Sequence, residues 1–472
     1  MKRKVYQLIG NFISDSEKRS FILSGAPYTG KTFACLDVLK SNHIDFLYLN
    51  VDDDRAFNDF LKTECRRHID CETEIHIQTM NAVGVEDKFL EEVNKPATKS
   101  AESDAFFNEA VDKPATNPTS GEGNFHDAGV RSSLYAVLTG YFRLPLDTIS
   151  RIPVVLDDFS DNDVFCDLLT EYLRTPENSH DLKLLIIWPK VPKDILSAIS
   201  KHSSTIYYEM NPISFDEFLV ATDHEWYRDI IEGHFQSRKK VPQIIHDEIC
   251  NLFDIYINIG GLPAAVNEYY NSDMPENASH VNRELFRNII TRTDSTDARN
   301  IIEAVPLCLE TKSRRFSFTK IHRGATYSKY MPSVEKLSDS GIININYYAD
   351  VSDDSLLIDE SSFRLYFNCF SFDFSKSEDS RIYNYLSAAF RASNIPAYFT
   401  QTRGGAQIDY VLHKNGSIIP VMVKLNHLSK DKALNAFEDA CKTDERYIFH
   451  DGNFDFTGKH AMLPYYAAFC IK

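Results

Sequence analysis

The chain has 472 residues, of which 43% are hydrophobic and 25% are charged, so it is long enough for about two to four globular domains. Its formal net charge of −17 at pH 7 disfavours broad, sequence-independent wrapping of nucleic acid, which needs clustered lysine and arginine. No stretch approaches the ~18 consecutive apolar residues of a membrane span, and the nine cysteines lack paired spacing, so we expect a cytoplasmic protein with reduced thiols.

The first motif along the chain is a glycine-rich loop. Residues 25–32 read Gly-Ala-Pro-Tyr-Thr-Gly-Lys-Thr and match the pattern G-x-x-x-x-G-K-S/T of a phosphate-binding loop. Apolar residues at 21–23 predict a buried strand before the loop, and helical spacing in 33–40 predicts a helix after it. The backbone N–H groups of such a loop surround nucleotide phosphates, and the positive end of the helix faces them. The residues predicted to contact ATP are Gly25, Ala26, Pro27, Tyr28, Thr29, Gly30, Lys31, Thr32 and Phe33.

The catalytic partners of this loop follow from its chemistry. Lys31 is expected to reach the β- and γ-phosphates, and the Thr32 hydroxyl to ligate Mg²⁺. The apolar run 154–156 ends in two acids, of which Asp157 is predicted to hold Mg²⁺ through water and Asp158 to activate the attacking water. Many ATPases place a glutamate at the second position, and aspartate is one methylene shorter. The sequence therefore predicts slow hydrolysis.

Further strands complete the N-terminal fold. Apolar runs at 44–51, 152–156, 182–188 and 204–208 alternate with helical patterns, which predicts an α/β fold with a parallel sheet covered on both faces. The run at 182–188 ends in Trp188, where an ATPase usually carries a polar residue that senses the γ-phosphate.

An internal duplication interrupts this pattern. The motif F-x-E-x-V-x-K-P-A-T occurs at 89–98 and again at 107–116, within a polar stretch from 85 to 132. Two polar copies are too few for a repeat fold, so we favour a disordered surface insertion. A docking segment for a partner is the alternative.

The C-terminal half begins with helical patterns. Residues 213–300 are mostly helical, and 304–350 read as a helix-turn-helix followed by a strand at 341–346, which is the order of a winged helix. Its basic residues interleave with Phe316 and Phe318 and suggest contacts with nucleic-acid phosphates, although a solvated helix face over core phenylalanines is favoured. These basic residues are Lys312, Arg314, Arg315, Lys320, His322 and Arg323.

A second α/β segment ends the chain. A helix is predicted near 380–393, and strands at 407–412 and 418–424 are separated by Asn415-Gly416, a strong hairpin signal.

Several segments resemble one family, the prokaryotic AAA-like P-loop ATPases that carry a C-terminal divergent PD-(D/E)xK nuclease-like domain. The similar segments are 47–53, 210–219, 260–266 and 407–424, and the resemblance covers nearly the whole chain apart from the insertion. It implies four parts: an ATPase core at 1–215 with the 85–132 insertion, a helical lid at 216–303, a winged-helix-like segment at 304–350 and a degenerate nuclease-like domain at 351–472.

The nuclease-like segment departs from the pattern of the family it resembles. Asp409 and Lys424 are present, but Met422 stands in place of the glutamate of E-x-K, and Tyr383 stands where a helix acid is expected. A magnesium nuclease needs two or three carboxylates, so phosphodiester cleavage is not expected. The family's arginine ahead of residue 210 is also replaced, by Ser203-Ser204.

These observations favour an ATP-binding, AAA-like protein that is a weak ATPase or an ATP-gated switch repositioning its C-terminal domains. ATP and Mg²⁺ are the expected cofactors, and an unknown protein or a second copy of the chain is the expected partner. The alternatives are a non-enzymatic scaffold with a structural nucleotide and, less favoured, an ATP-coupled nucleic-acid-binding protein or nuclease.

Overall fold

The structure is a computed structural model. It describes residues 3–63, 134–159, 162–174, 182–293, 295–352, 355–374, 377–402, 404–425, 431–438, 441, 443 and 445–472. The predicted insertion at 85–132 lies outside these residues, so its interpretation stays a prediction.

The N-terminal half is built on a five-stranded parallel sheet. Its strands stand in the order β2-β3-β4-β1-β5, and every neighbouring pair is parallel. β1, β3 and β4 are buried along their whole length, which is why they read as continuous apolar runs. The predicted α/β fold with a parallel sheet is confirmed. The strands are β1 (Ser20–Ser24), β2 (Leu47–Asn50), β3 (Val154–Asp157), β4 (Leu184–Ile187) and β5 (Thr205–Glu209).

Helices cover both faces of this sheet. Because successive side chains of a strand point to opposite faces, Ile22 packs in one buried cluster with Leu156, whereas Phe21 and Leu23 pack in another with Val155. The helices are α1 (Lys4–Ser14), α2 (Lys31–Ser41), α3 (including residues 55–63), α4 (Leu134–Phe142), α5 (Leu146–Ile149), α6 (Asp163–Arg174) and α7 (Lys193–Ile199).

Five helices follow the sheet, in the region predicted to be helical. The first begins with a capping box, in which Ser214 and Glu217 satisfy each other's backbone N–H groups. Gly260 has a φ of +75°, and an added Cβ would lie 2.1 Å from Cβ of Ser371, so the turn before Pro263 requires glycine there. The helices are α8 (Phe215–Ala221), α9 (Glu225–Ser237), α10 (Gln243–Ile259), α11 (Pro263–Ser272) and α12 (Pro275–Arg292).

The rest of the chain forms an eight-stranded mixed sheet with four further helices. The sheet order is β12-β13-β11-β10-β9-β8-β6-β7, so the long β6–β7 hairpin lies at its edge and continues past residue 350. The predicted hairpin at Asn415-Gly416 joins β9 and β10, and both residues have the positive φ that a tight two-residue turn requires. The elements are α13 (Thr296–Leu309), α14 (Tyr327–Asp339), β6 (Ile343–Ser352), β7 (Ser355–Phe367), α15 (Glu378–Ala392), β8 (Ala397–Gln401), β9 (Gln407–Lys414), β10 (Ser417–Val423), α16 (Asp431–Glu438), β11 (Arg446–His450), β12 (Asp455–Thr457) and β13 (His460–Pro464).

The helices α8 to α12 and the eight-stranded sheet share one hydrophobic core. Phe253 of α10 packs edge-on against Tyr385 of α15, with ring centroids 5.1 Å apart, and Tyr256 packs against Phe370 at the same distance. Since aromatic side chains bury large areas, separating these elements would expose much apolar surface. We therefore treat α8 to α12 and the C-terminal sheet as one packing unit. None of the described helices combines the length and apolarity that crossing a lipid bilayer requires.

This C-terminal unit touches the glycine-rich loop directly. In the turn between α14 and β6, Gly341 has a φ of +71°, and an added Cβ would lie 3.0 Å from Cα of Ala26. Asp339 forms an ion pair with Lys190, which follows β4. Farther along, Arg391 of α15 pairs with Glu209 of β5 at 2.7 Å.

Gly341→Ala should lower the free energy of unfolding by about 2–3 kcal/mol, because it adds a clash with residue 26 to the strain of a positive φ. Gly416→Ala is the matched control, since Gly416 has a φ of +79° and nothing within 4 Å of an added Cβ. The control should lose only the backbone contribution of about 1–2 kcal/mol. Urea denaturation followed by tryptophan fluorescence measures both values, and equal losses would contradict the contact.

Candidate functional site

The glycine-rich loop connects the end of β1 to the start of α2. Gly25 has a φ of +125°, and a Cβ there would lie 2.3 Å from the carbonyl oxygen of Met210. Gly30 is the N-cap of α2 with a φ of +86°. A side chain at position 25 would therefore clash, and one at position 30 would be strained by the positive φ, which explains the glycines of the motif. The loop and the first turn of α2 lie at the carboxyl edge of the parallel sheet, where ligands of α/β proteins bind.

Lys31 lies beneath the loop and is only 8% exposed. Its ammonium donates hydrogen bonds to the carbonyl oxygens of Gly25, at 2.9 Å, and Ala26, at 2.8 Å. Burial lowers the pKa of Lys31 to about 8, against the opposing effect of the Asp157 carboxylate. Lys31 is therefore held by the loop itself, through two of its carbonyl groups.

Thr32 and Asp157 come together as the sequence predicts. The Thr32 hydroxyl donates a hydrogen bond of 2.7 Å to Oδ2 of Asp157, which ends β3 and is 7% exposed. A hydroxyl beside a carboxylate offers the hard oxygen ligands that Mg²⁺ uses at nucleotide sites. Among the described residues, no group of three or more His, Cys, Asp or Glu side chains is arranged to hold a metal alone. A metal here would need further oxygen ligands, as in a site completed by phosphates and water.

Tyr48 also belongs to this site, although the sequence analysis missed it. Its hydroxyl donates a hydrogen bond of 3.1 Å to the same Asp157 oxygen. Burial, together with the nearby Asp157 carboxylate, raises the pKa of Tyr48 to about 12, so the hydroxyl keeps its proton. The sequence contains only a weak signal for this contact, namely the predicted neighbouring strands. Because β2 pairs with β3 in parallel, Tyr48 lies beside the end of β3.

Asp158, the predicted base, and Trp188, at the predicted sensor position, lie in different environments: Asp158 is exposed and Trp188 is buried. Asp158 has a φ of +48°. The next residue, Phe159, is buried against Trp188 with ring centroids 5.4 Å apart. Trp188 thus fills the core directly after β4.

A cavity of about 440 Å³ adjoins the loop. Its walls include Tyr28 and Phe33 beside the loop, Tyr6 of α1, and Pro263 and Asn267 of α11. Phe33 is 66% exposed, which is unusual for a phenylalanine and leaves an aromatic ring facing the opening. An apolar cavity with a few polar groups beside a phosphate-binding loop suits a planar base. Tyr6 and Asn267 were not predicted, since no local pattern links them to the loop.

Of the predicted nuclease-like residues, Asp409 forms an ion pair with Arg314 inside the C-terminal sheet. Asp409 is 1% exposed and pairs with Arg314, whose guanidinium also stacks on the Tyr383 ring with its carbon 4.1 Å from the ring centroid. The backbone N–H of Val423 donates to the other Asp409 oxygen at 2.8 Å. Where a nuclease would carry a metal, Asp409 therefore meets a guanidinium.

The other members of that group do not complete a metal site. Met422 is buried in an apolar cluster with Leu434 and Phe437. The main chain of Lys424 bonds to Phe449 and Tyr465, and burial raises the pKa of Tyr383 well above its usual value, so Tyr383 stays uncharged.

The predicted basic cluster is split by the fold. Arg314 is buried against Asp409, and Arg315 stacks over Tyr348 and Phe399 and donates to Gln401. Contact with nucleic acid was the less favoured interpretation of this cluster, and its two central arginines make contacts within the protein. The residues of the cluster that remain exposed are Lys312, Lys320, His322 and Arg323.

Comparisons with known proteins find a family match over part of the chain and solved structures of low similarity. A family model described as a domain of unknown function (DUF4143) matches residues 378–467, and no curated protein sequence matches the chain. The chain is similar to the Walker-type ATPase PABY2304 of Pyrococcus abyssi at 13% identity, with a TM-score of 0.39 over 77% of this chain and 93% of that one. It is also similar to the structure of Drosophila ORC bound to DNA at 13% identity, with a TM-score of 0.22 over 80% and 84%. These TM-scores are too low to carry an inference, so function must be inferred from the site itself.

Asp409→Asn should lower the free energy of unfolding by about 3–5 kcal/mol, because it leaves the Arg314 charge buried without a counter-charge. Asp455→Asn is the control, since Asp455 and its partner Lys240 are both more than half exposed and their pair contributes less than about 1 kcal/mol. Urea denaturation gives both values. A variant at position 409 as stable as the control would show that the buried pair is unimportant.

Proposed function

We propose that the protein binds ATP with Mg²⁺ at residues 25–33. The observation that carries this proposal is the hydrogen bond of 2.7 Å between Thr32 and Asp157, which joins the loop to the acidic end of β3. The two residues are 125 positions apart, so their pairing is a property of the fold and not of the motif alone. With Lys31 beneath the loop, the site supplies a cation for the phosphates and two oxygen ligands for a water-coordinated metal.

The neighbouring cavity supports a nucleoside triphosphate over a free phosphate. It opens beside Gly30 and Phe33, so a base seated against the aromatic rings would leave its phosphates at the start of α2. Tyr6 and Asn267 offer polar atoms to the base edge. Pro263 and Asn267 belong to α11, so the ligand would touch both the parallel-sheet half and the helical lid.

Nucleotide binding would change the contacts that hold the C-terminal unit. Lys31 must leave the carbonyl oxygens of Gly25 and Ala26 to reach a phosphate, and Ala26 is the residue on which Gly341 packs. The lid and the C-terminal sheet share a core, so movement at α11 would carry the sheet with it. We therefore favour an ATP-gated switch in which binding repositions the C-terminal unit.

Hydrolysis, in this proposal, is slow. Asp158 is the acid that the sequence predicts as the general base, and its short side chain and positive φ are poorly suited to that role. The buried ring of Trp188 cannot sense the γ-phosphate. The ion pair between Arg314 and Asp409 argues against metal-dependent nuclease activity in the C-terminal sheet.

Titration with fluorescent ADP and ATP in the presence of Mg²⁺ tests the proposal. Lys31→Ala should weaken binding at least about 100-fold, because it removes the charge that meets the phosphates. Lys40→Ala is the matched control, an exposed lysine at the end of the same helix, and should bind like the wild type. Failure of the wild-type protein to bind either nucleotide at millimolar concentration would refute the proposal.

Asp158→Asn should keep its nucleotide affinity and lose at least about tenfold in ATP turnover.

Nucleotide affinity should fall about tenfold between pH 7 and pH 9, because the Lys31 pKa of about 8 means that the empty site loses its charge in this range. Phosphates favour the charged amine, so binding should take up a proton, which calorimetry in buffers of different ionisation enthalpy detects. Lys31→Arg removes this titration, since arginine stays protonated, and its affinity should be flat over the same range. Without nucleotide, the free energy of unfolding should change in the opposite direction and rise from about pH 8 to pH 10.5. In this range Lys31 keeps its proton in the unfolded chain and loses it in the folded protein.

A further inference from the structure

Arg3 is a buried arginine outside every motif of the sequence. It precedes α1 and is only 8% exposed. Burying a guanidinium is unfavourable unless its N–H groups find hydrogen-bond partners, so the partners of Arg3 indicate its role. It also borders the cavity beside the loop, next to Thr29 and Gly30.

The guanidinium of Arg3 joins three separate parts of the chain. Nη1 donates to the carbonyl oxygen of Thr29 at 3.0 Å, within the loop. Nη2 donates to the carbonyl oxygen of Asn211, at 2.8 Å, and to Oε2 of Glu217 on α8, also at 2.8 Å. Glu217 is the capping-box residue with which the helical lid begins. One side chain thus connects the loop, the segment after β5 and the first helix of the lid.

The bond to Thr29 orients the peptide group that follows it. In a trans peptide the carbonyl of Thr29 and the N–H of Gly30 point in opposite directions, and the described chain has no cis peptide bonds. Because the Thr29 oxygen faces Arg3, the Gly30 N–H is directed away from Arg3. The Thr29 hydroxyl adds a hydrogen bond of 2.9 Å to the carbonyl of Ala26. The orientation of this peptide group within the loop is thereby fixed.

We propose that Arg3 is a positioning residue that prepares the loop for nucleotide and transmits its occupancy to the helical lid. This inference rests on the nucleotide site proposed above. Binding that tightens the Thr29–Gly30 peptide strengthens its hold on Arg3, and Arg3 in turn fixes Glu217 and the start of α8. Only the planar fork of arginine can bond to the loop and to Glu217 together, since lysine offers a single ammonium group.

The adjacent residue provides a matched control. Lys4 forms an ion pair of 2.7 Å with Asp216, also at the start of α8, but its side chain is 59% exposed. It makes the same kind of contact with the lid without touching the loop. Lys4→Met should therefore leave nucleotide binding within about twofold of the wild-type value, because it removes a contact with the lid and none with the loop.

The experiment compares Arg3→Gln, Arg3→Lys and Lys4→Met in the full-length protein. Fluorescent ADP measures affinity, and hydrogen exchange at saturating ADP measures protection of the amides in 243–292. Both Arg3 variants should bind ADP at least about tenfold more weakly and lose the ADP-induced protection of the lid, whereas Lys4→Met keeps both. Glu217→Gln, which can still form the capping box, should lose the protection with a smaller loss of affinity, because the bond to Thr29 remains.

The outcomes separate this inference from the proposed function and from a purely structural role. If Arg3→Gln lowers the thermal midpoint without nucleotide but keeps wild-type affinity and lid protection, Arg3 only stabilises the fold and the inference is wrong. Wild-type ADP affinity together with wild-type lid protection in Arg3→Lys would also overturn the inference, because a positive charge alone would then suffice. If the wild-type protein does not bind nucleotide, the proposed function fails first.

Discussion

The parallel arrangement of β1 and β3 is the constraint on which the site depends. Parallel strands end at the same edge of a sheet, so the loop after β1 and the acids after β3 must lie close together. The hydrogen bond between Thr32 and Asp157 is the direct result. The same edge receives the turn at Gly341, so the loop that we propose to bind phosphate is also the loop that the C-terminal unit contacts.

Local patterns were sufficient to predict the parts of the molecule that local physics determines. The loop at 25–32, the buried strands and the turn at Asn415-Gly416 all follow from the identity of a few neighbouring residues. Tyr48 and Arg3 could not be predicted in the same way. Their roles arise from partners more than twenty positions away, and nothing in the residues beside them encodes that distance.

The basic residues at 312–323 illustrate how tertiary structure overrides a sequence pattern. Charge on one short segment suggested an exposed surface, but a buried carboxylate on a distant strand recruits Arg314 to its own side. Two neighbouring residues also serve internal packing. Tyr383 lies under that guanidinium, and Met422 packs in an apolar cluster.

The shared core of the lid and the C-terminal sheet has a consequence for how such a chain can vary. Phe253 and Tyr256 are covered by side chains from beyond residue 369, so a shorter chain ending after the lid would carry an exposed aromatic face. Loss of the C-terminal sheet by a simple truncation is therefore penalised by aggregation, whatever chemistry that sheet has kept. The C-terminal sheet can persist for this reason alone, as the permanent cover of the helices beside it.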